Sequence, residues 1–344
     1  MFYLGLDVHG KWTTVKGLNP STGEIVQWLR VANSAEAFAQ VLSELEGPFC
    51  GAMEAGTNSW AMYRVLLPLF KELVVVHPAQ VHDRRDGKPK TDARDAMRLA
   101  EQLCWGQLRG IYIPDERIQD LRMLVRGKVR ATRWVTKLTN EMGSLLRAWG
   151  YVGSRSLLSK RGVARLEEAE LPPHSARVLA LTRQLWELAQ RIERELEQAV
   201  AEEAAADEQC QLLLSMPEVG PFTALLVRAE VGDIDRFQSG EQLASYAGLT
   251  PRVLQSGERC HYGKLTKRGN RWMRYALLLL ANRIARGRGN SRLHRLYRRS
   301  CLRQHSNDAK VAVARKALIL ACHLLRRRER WEEHQKHVRA QQAA

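Results

Sequence analysis

The stretch that decides the fold is Lys-Thr-Asp-Ala-Arg-Asp-Ala, residues 90–96, because it places two acids at the start of a helix. Thr91 is a suitable N-cap, and apolar residues recur at helical spacing from Ala96 onward. Asp92 and Asp95 then share a face of the helix, where their like charges repel unless a cation lies beside them. Alone, such a pair is typical of a solvated surface helix, so its meaning depends on the acids that precede it.

Two further acids lie upstream, at the ends of predicted strands. The alternation of apolar residues predicts three strands, a helix, a fourth strand, a second helix and a fifth strand before residue 78. Asp7 lies near the end of the first strand, and Glu54 closes the fourth. Carboxylate oxygens are the ligands that Mg²⁺ prefers, and a two-metal phosphoryl-transfer site needs several of them. The order Asp7, Glu54, Asp92, Asp95 in a β-β-β-α-β-α-β-α succession resembles the RuvC-like branch of the RNase H-like fold.

The charge balance points to a polyanionic partner. The chain has 54 Lys and Arg against 37 Asp and Glu, a net charge of +17. Nucleic acid is the expected partner of so basic a protein. No apolar run is long enough to span a bilayer and the first residues do not resemble a signal peptide, so we expect a cytoplasmic protein without a membrane partner. The six cysteines contain no Cys-x-x-Cys pair, which favours reduced thiols over disulfides or zinc.

Two long helices are predicted in the middle of the chain. The first covers Pro114 to Gly150 and the second runs from Ser175 to about Ala205. The second spaces its apolar residues as in a coiled-coil seam, at Leu181, Leu185, Leu188, Ile192, Leu196 and Ala199. The helices either pack as a pair within one subunit or form a dimerisation arm whose basic face follows phosphates, and the sequence does not separate these alternatives. The candidate phosphate contacts on the first helix are Arg122, Arg126 and Arg130.

The last third of the chain contains several short motifs in a fixed order. Residues 215–224 resemble the hairpin of a helix-hairpin-helix element, in which a glycine lets backbone N–H groups approach a phosphate. Next come Ala-Gly-Leu-Thr-Pro at 247–251, Gln-Ser-Gly at 255–257, Lys-Leu-Thr-Lys-Arg-Gly-Asn at 264–270 and Ala-Val-Ala-Arg-Lys at 312–316. Together with the four acids, this order resembles the transposases of the insertion-sequence one-ten family, the bridge-RNA-guided recombinases.

The resemblance implies specific roles for these residues. The four acids would hold two Mg²⁺ ions, and Ser256 would be the nucleophile that attacks a DNA phosphate and stays bonded to it. The partners would be donor DNA, target DNA, a structured guide RNA and further copies of the chain, as a dimer or a tetramer. The residues around Ser256, Gln255 before it and residues 258–262 after it, lie where family members vary, so no proton shuttle is assigned.

The residues alone leave other interpretations open. A serine between Gln255 and Gly257 is most often a turn residue, and no local residue activates it. Basic runs usually form solvated faces. The basic residues around the Gly-Asn turn close to Ser256 favour phosphate contacts instead. With Asn270 of that turn, the candidates are Lys264, Lys267, Arg268, Asn270, Arg271 and Arg274.

The sequence thus predicts an α/β plus α protein with three parts. These are a RuvC-like metal domain at 1–110, a helical coiled-coil arm at 111–207, and a mainly α-helical transposase domain at 208–344. The first functional hypothesis is RNA-guided, Mg²⁺-dependent strand exchange through a phosphoserine. The second is a junction-resolving nuclease in which the carboxylates activate water and Ser256 forms no covalent bond. The third is a non-enzymatic nucleic-acid-binding protein in which the acids are structural.

Overall fold

A computed structural model describes residues 1–81, 91–151, 170–256, 259–265 and 269–343. The chain divides into two compact units, Met1–Ile113 and Pro114–Ala344. No helix within the described ranges is long and apolar enough to cross a membrane. The predicted boundary between 207 and 208 stays a prediction.

The first unit is built on a mixed five-stranded sheet. Its strand order is β3-β2-β1-β4-β5. The first three strands are antiparallel neighbours, and β4 and β5 run parallel to β1. The strands are β1 Phe2–Val8, β2 Trp12–Leu18, β3 Ile25–Ala32, β4 Phe49–Glu54 and β5 Glu72–Val76. The predicted strands are confirmed to within a residue or two, and the topology is consistent with an RNase H-like fold.

Helices cover both faces of this sheet. They are α1 Ala35–Leu42, α2 Ser59–Leu66, α3 Pro78–Val81 and α4 Asp92–Cys104. The even residues of β1 point into an apolar core with α1 and α2, which includes Phe2, Leu4, Leu6 and Phe38. The odd residues of β1 face α4 instead. This alternation puts Asp7 on the side of the sheet where α4 lies.

The second unit is mostly helical. Its helices are α5 Glu116–Ala148, α6 Pro173–Ala206, α7 Glu208–Leu214, α8 Pro221–Val231, α9 Gly240–Tyr246, α10 Arg271–Arg286, α11 Arg292–Cys301, α12 Ser306–Arg327 and α13 Trp331–Ala343. A two-stranded hairpin of β6 Pro251–Ser256 and β7 Arg259–Leu265 interrupts them. The sequence pattern did not predict these two strands.

The helices α5 and α6 pack against each other along much of their length. Near their base, Val125 and Val200 belong to the same apolar core as α8, α10 and α12. Further out, a separate cluster includes Met142 and Trp186. This pairing within the chain uses a stripe of α6 different from the predicted seam.

The predicted seam of α6 is instead largely open to solvent. Leu181, Leu185 and Leu188 have relative exposures of 54%, 57% and 45%, and Val178 at 52% extends the same stripe. The residues follow one another at intervals of three or four, the spacing of a heptad seam. The predicted seam is therefore not the stripe that makes the contact within the chain, and its pairing with another subunit stays a prediction.

The connection between α7 and α8 corresponds to the predicted helix-hairpin-helix element. Glu218, with φ of +72°, takes the left-handed conformation that sequence reasoning would give to a glycine. Gly220 is the N-cap of α8 with φ of −102°. A Cβ added at Gly220 would meet only Arg283 Nη1, at 3.8 Å, so this backbone is open to close approach. The assignment as a helix-hairpin-helix element stays a prediction.

Candidate active site

The close packing of α4 on β1 depends on a glycine. A Cβ placed on Gly5 would lie 1.7 Å from the carbonyl oxygen of Ala96, so no larger residue fits. Gly5 pairs in register with Ala52 of β4, which is also buried. Because side chains alternate along a strand, Asp7 and Glu54 lie on the same face as this glycine and alanine, two residues further on. The glycine therefore lets α4 approach the two strand-end carboxylates.

The four predicted acids lie at the same end of the sheet. Leu6 is paired with Met53, so the next position along each strand places Asp7 beside Glu54. Asp92 is the first residue of α4 and Asp95 lies one turn later. Thr91 occupies the N-cap position with extended backbone, although its side chain makes no capping hydrogen bond.

A histidine that the sequence analysis did not select lies between two of these acids. Nε2 of His9 is 3.5 Å from Oδ2 of Asp7 and 3.2 Å from Oδ2 of Asp92. Asp7, His9 and Asp92 each offer a ligand atom, and these atoms all lie within 4.8 Å of one another. Glu54 and Asp95 are outside that group. The sequence feature that could have indicated this histidine is Asp-Val-His at residues 7–9, which places an imidazole two residues after an acid.

The backbone of His9 is fixed by side chains from two other segments. Its carbonyl oxygen accepts hydrogen bonds from Nδ2 of Asn33 at 2.9 Å and Nδ2 of Asn58 at 3.1 Å. Oδ1 of Asn33 in turn accepts a hydrogen bond from the hydroxyl of Thr13. The His9 N–H donates to the carbonyl oxygen of Trp12. Hydrogen bonds to both the carbonyl and the N–H group of His9 thus fix the turn after β1.

The donor set fits a divalent cation. Nε2 of His9 is shielded from solvent and makes no well-aligned hydrogen bond within the described residues, although two carboxylates lie beside it. Two carboxylate oxygens and an imidazole nitrogen are ligands that Mn²⁺ and related ions accept, while Mg²⁺ prefers the oxygens. Asp7, Asp92 and His9 are therefore the residues that would hold the cation, with Glu54 and Asp95 close by.

Ser256 is the last residue of β6. Its backbone is paired with Arg259 of β7, and Gln255 is paired with Cys260. The serine thus adjoins the connection of a β-hairpin. Residues 257–258 lie outside the described residues.

The Gly-Asn turn before α10 has a structural role. Gly269 has φ of +111°, and a Cβ there would lie 2.4 Å from the carbonyl oxygen of Tyr246. The Asn270 N–H donates to that same oxygen at 2.7 Å. Oδ1 of Asn270 caps α10 by accepting from the backbone N–H groups of Trp272 and Met273. Only glycine tolerates both this backbone conformation and this contact.

The side chain of Asn270 also meets a buried acid. Its Nδ2 donates to Oε2 of Glu230 at 2.7 Å, and Glu230 is fully buried on α8. Both ends of the Asn270 amide are therefore engaged within the protein, which argues against the predicted phosphate contact for this residue.

The buried residue Glu230 also interacts with two arginines of α5. Nε and Nη2 of Arg126 donate to the two carboxylate oxygens of Glu230, at 2.8 and 2.9 Å. Arg122 is buried, and its guanidinium donates to the carbonyl oxygens of Ala229 and Glu230. These contacts argue against Arg122 and Arg126 as phosphate contacts. Arg130 is exposed, so its side chain is accessible to a phosphate.

The remaining predicted basic residues differ in their setting. Arg271 is exposed, and its guanidinium lies 4.9 Å from the centre of the Trp272 ring. Arg274 donates to the carbonyl oxygen of Ala247, and burial lowers the pKa of its guanidinium. Lys264 is part of β7, and Lys267 and Arg268 lie outside the described residues.

Taken together, the first unit is a carboxylate-bearing α/β domain of the kind that performs metal-assisted phosphoryl transfer. Comparison with known sequences agrees with this class. Residues 4–149 match a transposase family model of the DEDD type, and residues 210–298 match the family described as "Transposase IS116/IS110/IS902 family".

Individual relatives are transposases of bacterial insertion sequences. The transposase for insertion sequence element IS1111A of Coxiella burnetii is 30% identical over 95% of this chain and 90% of its own length. The transposase for insertion sequence element IS1328 of Yersinia enterocolitica is 28% identical over 80% of this chain and 83% of its own. "Putative transposase y4qE" of Sinorhizobium fredii is 30% identical over 74% of this chain, which spans 64% of that relative. The chain belongs to the IS110 family of transposases, and the match to its DEDD domain indicates a divalent metal.

Proposed function

We propose that this chain is a transposase that cuts and exchanges DNA strands under the direction of a guide RNA, with Mg²⁺ and a phosphoserine intermediate. The observation that carries the proposal is the convergence of Asp7, His9 and Asp92 at the carboxyl end of β1, within the region that matches the DEDD model. The second family match includes Ser256. Cleavage takes place in the cytoplasm, where bacterial DNA is accessible to the protein.

The acids Asp7, Glu54, Asp92 and Asp95 hold one or two Mg²⁺ ions in this proposal. A bound divalent ion neutralises the negative charge that develops on the phosphate during displacement. His9 lies between Asp7 and Asp92, so its Nε2 joins them as a ligand and its ring restricts where the two carboxylates lie; its position supports both roles.

Ser256 acts as the nucleophile. Its Oγ loses a proton and bonds to the phosphorus, while one P–O bond to deoxyribose breaks and the departing oxygen takes up a proton. The hydroxyl of another strand end then attacks the phosphoserine, which reforms a phosphodiester and releases Ser256 unchanged. No nucleotide cofactor is needed, because the energy of the phosphodiester is kept in the ester with the protein. The resemblance in residues 247–270 and the place of Ser256 at the end of β6 support this assignment.

The guide RNA chooses the donor and target sites by base pairing, while the protein contacts backbones. Of the predicted phosphate contacts, the proposal retains Lys264, Lys267, Arg268, Arg271 and Arg130. The exposure of Arg130 and Arg271 supports their inclusion.

A second copy of the chain covers the exposed stripe of α6. Val178, Leu181, Leu185 and Leu188 are apolar at heptad spacing and exposed, which supports a helix-to-helix contact between subunits. Leu181→Glu with Leu185→Glu is expected to convert the dimer into a monomer, as measured by light scattering after gel filtration. A dimer of unchanged stability in this variant would contradict the contact.

The test of the covalent step is the Ser256→Ala variant, with Ser245→Ala, at an exposed position of α9, as its control. Reactions with the copurified RNA and the DNA of the element are stopped with denaturant, and DNA attached to protein is measured by gel mobility and mass spectrometry. The proposal expects attached DNA with the wild type and the control and none with Ser256→Ala. Cleavage at a normal rate by Ser256→Ala would favour the junction-resolving nuclease.

Two further measurements separate the remaining alternatives. Sequencing the RNA that copurifies with the protein is expected to give a single species complementary to the ends of the element and its insertion site. Random fragments would contradict the guided mechanism. Asp92→Asn with Asp95→Asn is expected to keep nucleic-acid binding and lose cleavage, whereas a non-enzymatic protein would keep its biological activity.

A further inference from the structure

The basic charge of the chain is concentrated in one segment. Between residues 259 and 307 there are 14 Lys and Arg and no Asp or Glu. The net charge of this segment is therefore +14, against +17 for the whole chain. From residue 283 onward the basic residues are all arginines, and the last of them is Arg303. Arginine binds phosphate through a planar fork of N–H donors, which lysine lacks.

Seven of these eight arginines, all except Arg283, lie on α11 or in the segments directly before and after it. We call them the arginine surface, and its members are Arg286, Arg288, Arg292, Arg295, Arg298, Arg299 and Arg303. All seven side chains are exposed. Within the described ranges none of the seven forms an ion pair with a carboxylate, whereas Arg283 nearby lies 3.9 Å from Glu218. Seven unneutralised guanidinium groups repel one another, so a polyanion on this surface would relieve that repulsion.

The loop before α11 packs closely against that helix. A Cβ added to Gly289 would lie 2.4 Å from the ring of His294, which is buried beneath the loop. Nδ1 of His294 is 2.8 Å from the Ser291 hydroxyl. The loop residues thus pack on α11 rather than project away, which keeps Arg288 near the arginines of the helix.

Two arginines of the helix reach back to this loop. Arg295 donates to the carbonyl oxygen of Asn290 at 2.8 Å, and Arg298 donates to Oδ1 of Asn290 at 2.8 Å. Both acceptors are uncharged, so the guanidinium groups keep their full charge while their positions are restricted. Restricting a long side chain in advance lowers the entropy lost when it binds a phosphate.

The partner that this surface fits is a duplex rather than unpaired bases. Proteins that hold single strands stack bases on exposed aromatic rings. Between residues 283 and 303 the sequence has one aromatic residue besides His294, namely Tyr297, whose hydroxyl is hydrogen-bonded to Ser306. The surface therefore offers charge without stacking platforms, which is the chemistry of sequence-independent contact with a phosphate backbone.

We propose that the arginine surface docks the phosphate backbone of duplex DNA. The inference rests on the proposed function, because DNA is the substrate of the transposase family to which the chain belongs. It adds a contact surface that is separate from the carboxylates and from Ser256. The surface holds the flanking duplex while the guide RNA determines the sequence.

The experiment measures binding of the full chain to a short labelled DNA duplex over a range of KCl concentrations. The test variant is Arg292→Gln with Arg295→Gln and Arg299→Gln. The matched control removes three exposed arginines of α6, as Arg177→Gln with Arg191→Gln and Arg194→Gln. A third variant changes the three test arginines to lysine, which keeps the charge.

The expected result is a change in salt dependence. Each lost phosphate contact lowers the slope of log affinity against log salt by about 0.9, so the test variant should lose about 2.7 in slope. The α6 control should keep the wild-type slope, and the lysine variant should recover most of it.

Each other outcome overturns a specific statement. A test variant with the wild-type slope overturns the arginine surface and leaves the proposed function in place. A wild-type protein that binds no duplex DNA, even with its copurified RNA present, overturns the proposed function itself. The same titration is made with an RNA hairpin of equal length. If the test variant loses affinity only for the RNA and binds the DNA like the wild type, the choice of DNA as partner is overturned.

Discussion

Nε2 of His9 lies 3.2 Å from Oδ2 of Asp92, although 82 residues separate them in the sequence. The contact joins the turn after β1 to the first residue of α4. Because Asp7 also lies beside the imidazole, one histidine touches two of the four predicted metal ligands. This relationship makes His9 the most direct test of how the carboxylates are organised.

We expect His9→Ala to weaken divalent metal binding by about 10- to 100-fold, the range found when a residue that orients metal ligands is removed. The reason is that Asp7 and Asp92 lose the group that lies between them. Isothermal titration with Mn²⁺ and with Mg²⁺ measures the effect. His174→Ala, at an exposed position of α6, serves as the control, and an unchanged affinity in His9→Ala would show that the imidazole has no role at the metal.

We expect Gly5→Ala to displace α4 and lower both stability and metal affinity. The added Cβ would lie 1.7 Å from the Ala96 carbonyl oxygen, and this oxygen belongs to the helix backbone and cannot rotate away. The cost should be at least about 1–3 kcal/mol, as for other overpacked sites. Thermal unfolding and metal titration measure it.

The control for this substitution is Gly10→Ala in the same unit. A Cβ at Gly10 meets nothing within 4 Å, so stability and metal affinity should change little. If both variants bind metal like the wild type, the approach of α4 to β1 does not control the site.

We expect Glu230→Ala to destabilise the second unit by about 3–5 kcal/mol, the usual cost of leaving a buried charge without its partner. The substitution leaves the guanidinium of Arg126 unpaired and removes the acceptor for Asn270. Denaturant unfolding measures the free energy. Glu241→Gln breaks the exposed pair with Arg315 and should cost less than about 1 kcal/mol. Equal effects of the two substitutions would contradict the role of Glu230.

We expect the contribution of Glu329 to stability to depend on pH. Burial raises the pKa of this carboxyl, but hydrogen bonds from His334 and His337 outweigh that effect, and the pKa is lowered from 4.5. A group with a lowered pKa binds fewer protons when folded than when unfolded. Its stabilisation is therefore present above pH 4.5 and is lost as the pH falls through the lowered pKa.

The measurement compares thermal unfolding of wild type and Glu329→Gln at neutral pH and below pH 4. The difference between them should be larger at neutral pH. Glu332→Gln, at an exposed position at the start of α13, should behave like the wild type at both pH values. A difference that does not change with pH would mean that the ionised carboxylate is not what stabilises the fold.

Much of the first unit could be predicted from the sequence. Alternating residues in β1 assign Leu4 and Leu6 to one face and Gly5 and Asp7 to the other, and the structure has this arrangement. The alternation of side chains along a strand involves only neighbouring residues, so it can be recognised from the sequence without knowledge of the fold. His9 was missed because a single histidine after a strand carries no periodic signal, and only the fold brings it to Asp92.

The arginines of α5 show why charge alone is a poor guide to contacts. Arg122, Arg126 and Arg130 have the same side chain and are spaced one turn apart. The structure buries the first, pairs the second with Glu230 and exposes the third. The deciding partner, Glu230, lies about 100 residues away in the sequence, so the local pattern of α5 gives no information about it.

The helix α6 shows a related limit. It has two apolar stripes, and both satisfy the spacing rules for packing. Which stripe faces α5 depends on shape, with Trp186 and Ala189 fitting the partner helix. The sequence therefore identified a stripe capable of pairing without revealing which contact it makes.

The position of α4 near the end of the first unit also has a consequence for the timing of assembly. The strand with Asp7 leaves the ribosome early, but Asp92 and the helix that completes the arrangement follow only after most of the first unit has been synthesised. A growing chain therefore contains Asp7 and Glu54 before the two acids of α4 have been added. Protein fragments that end before α4, such as those from a premature stop codon, would lack Asp92 and Asp95, two of the four proposed metal ligands.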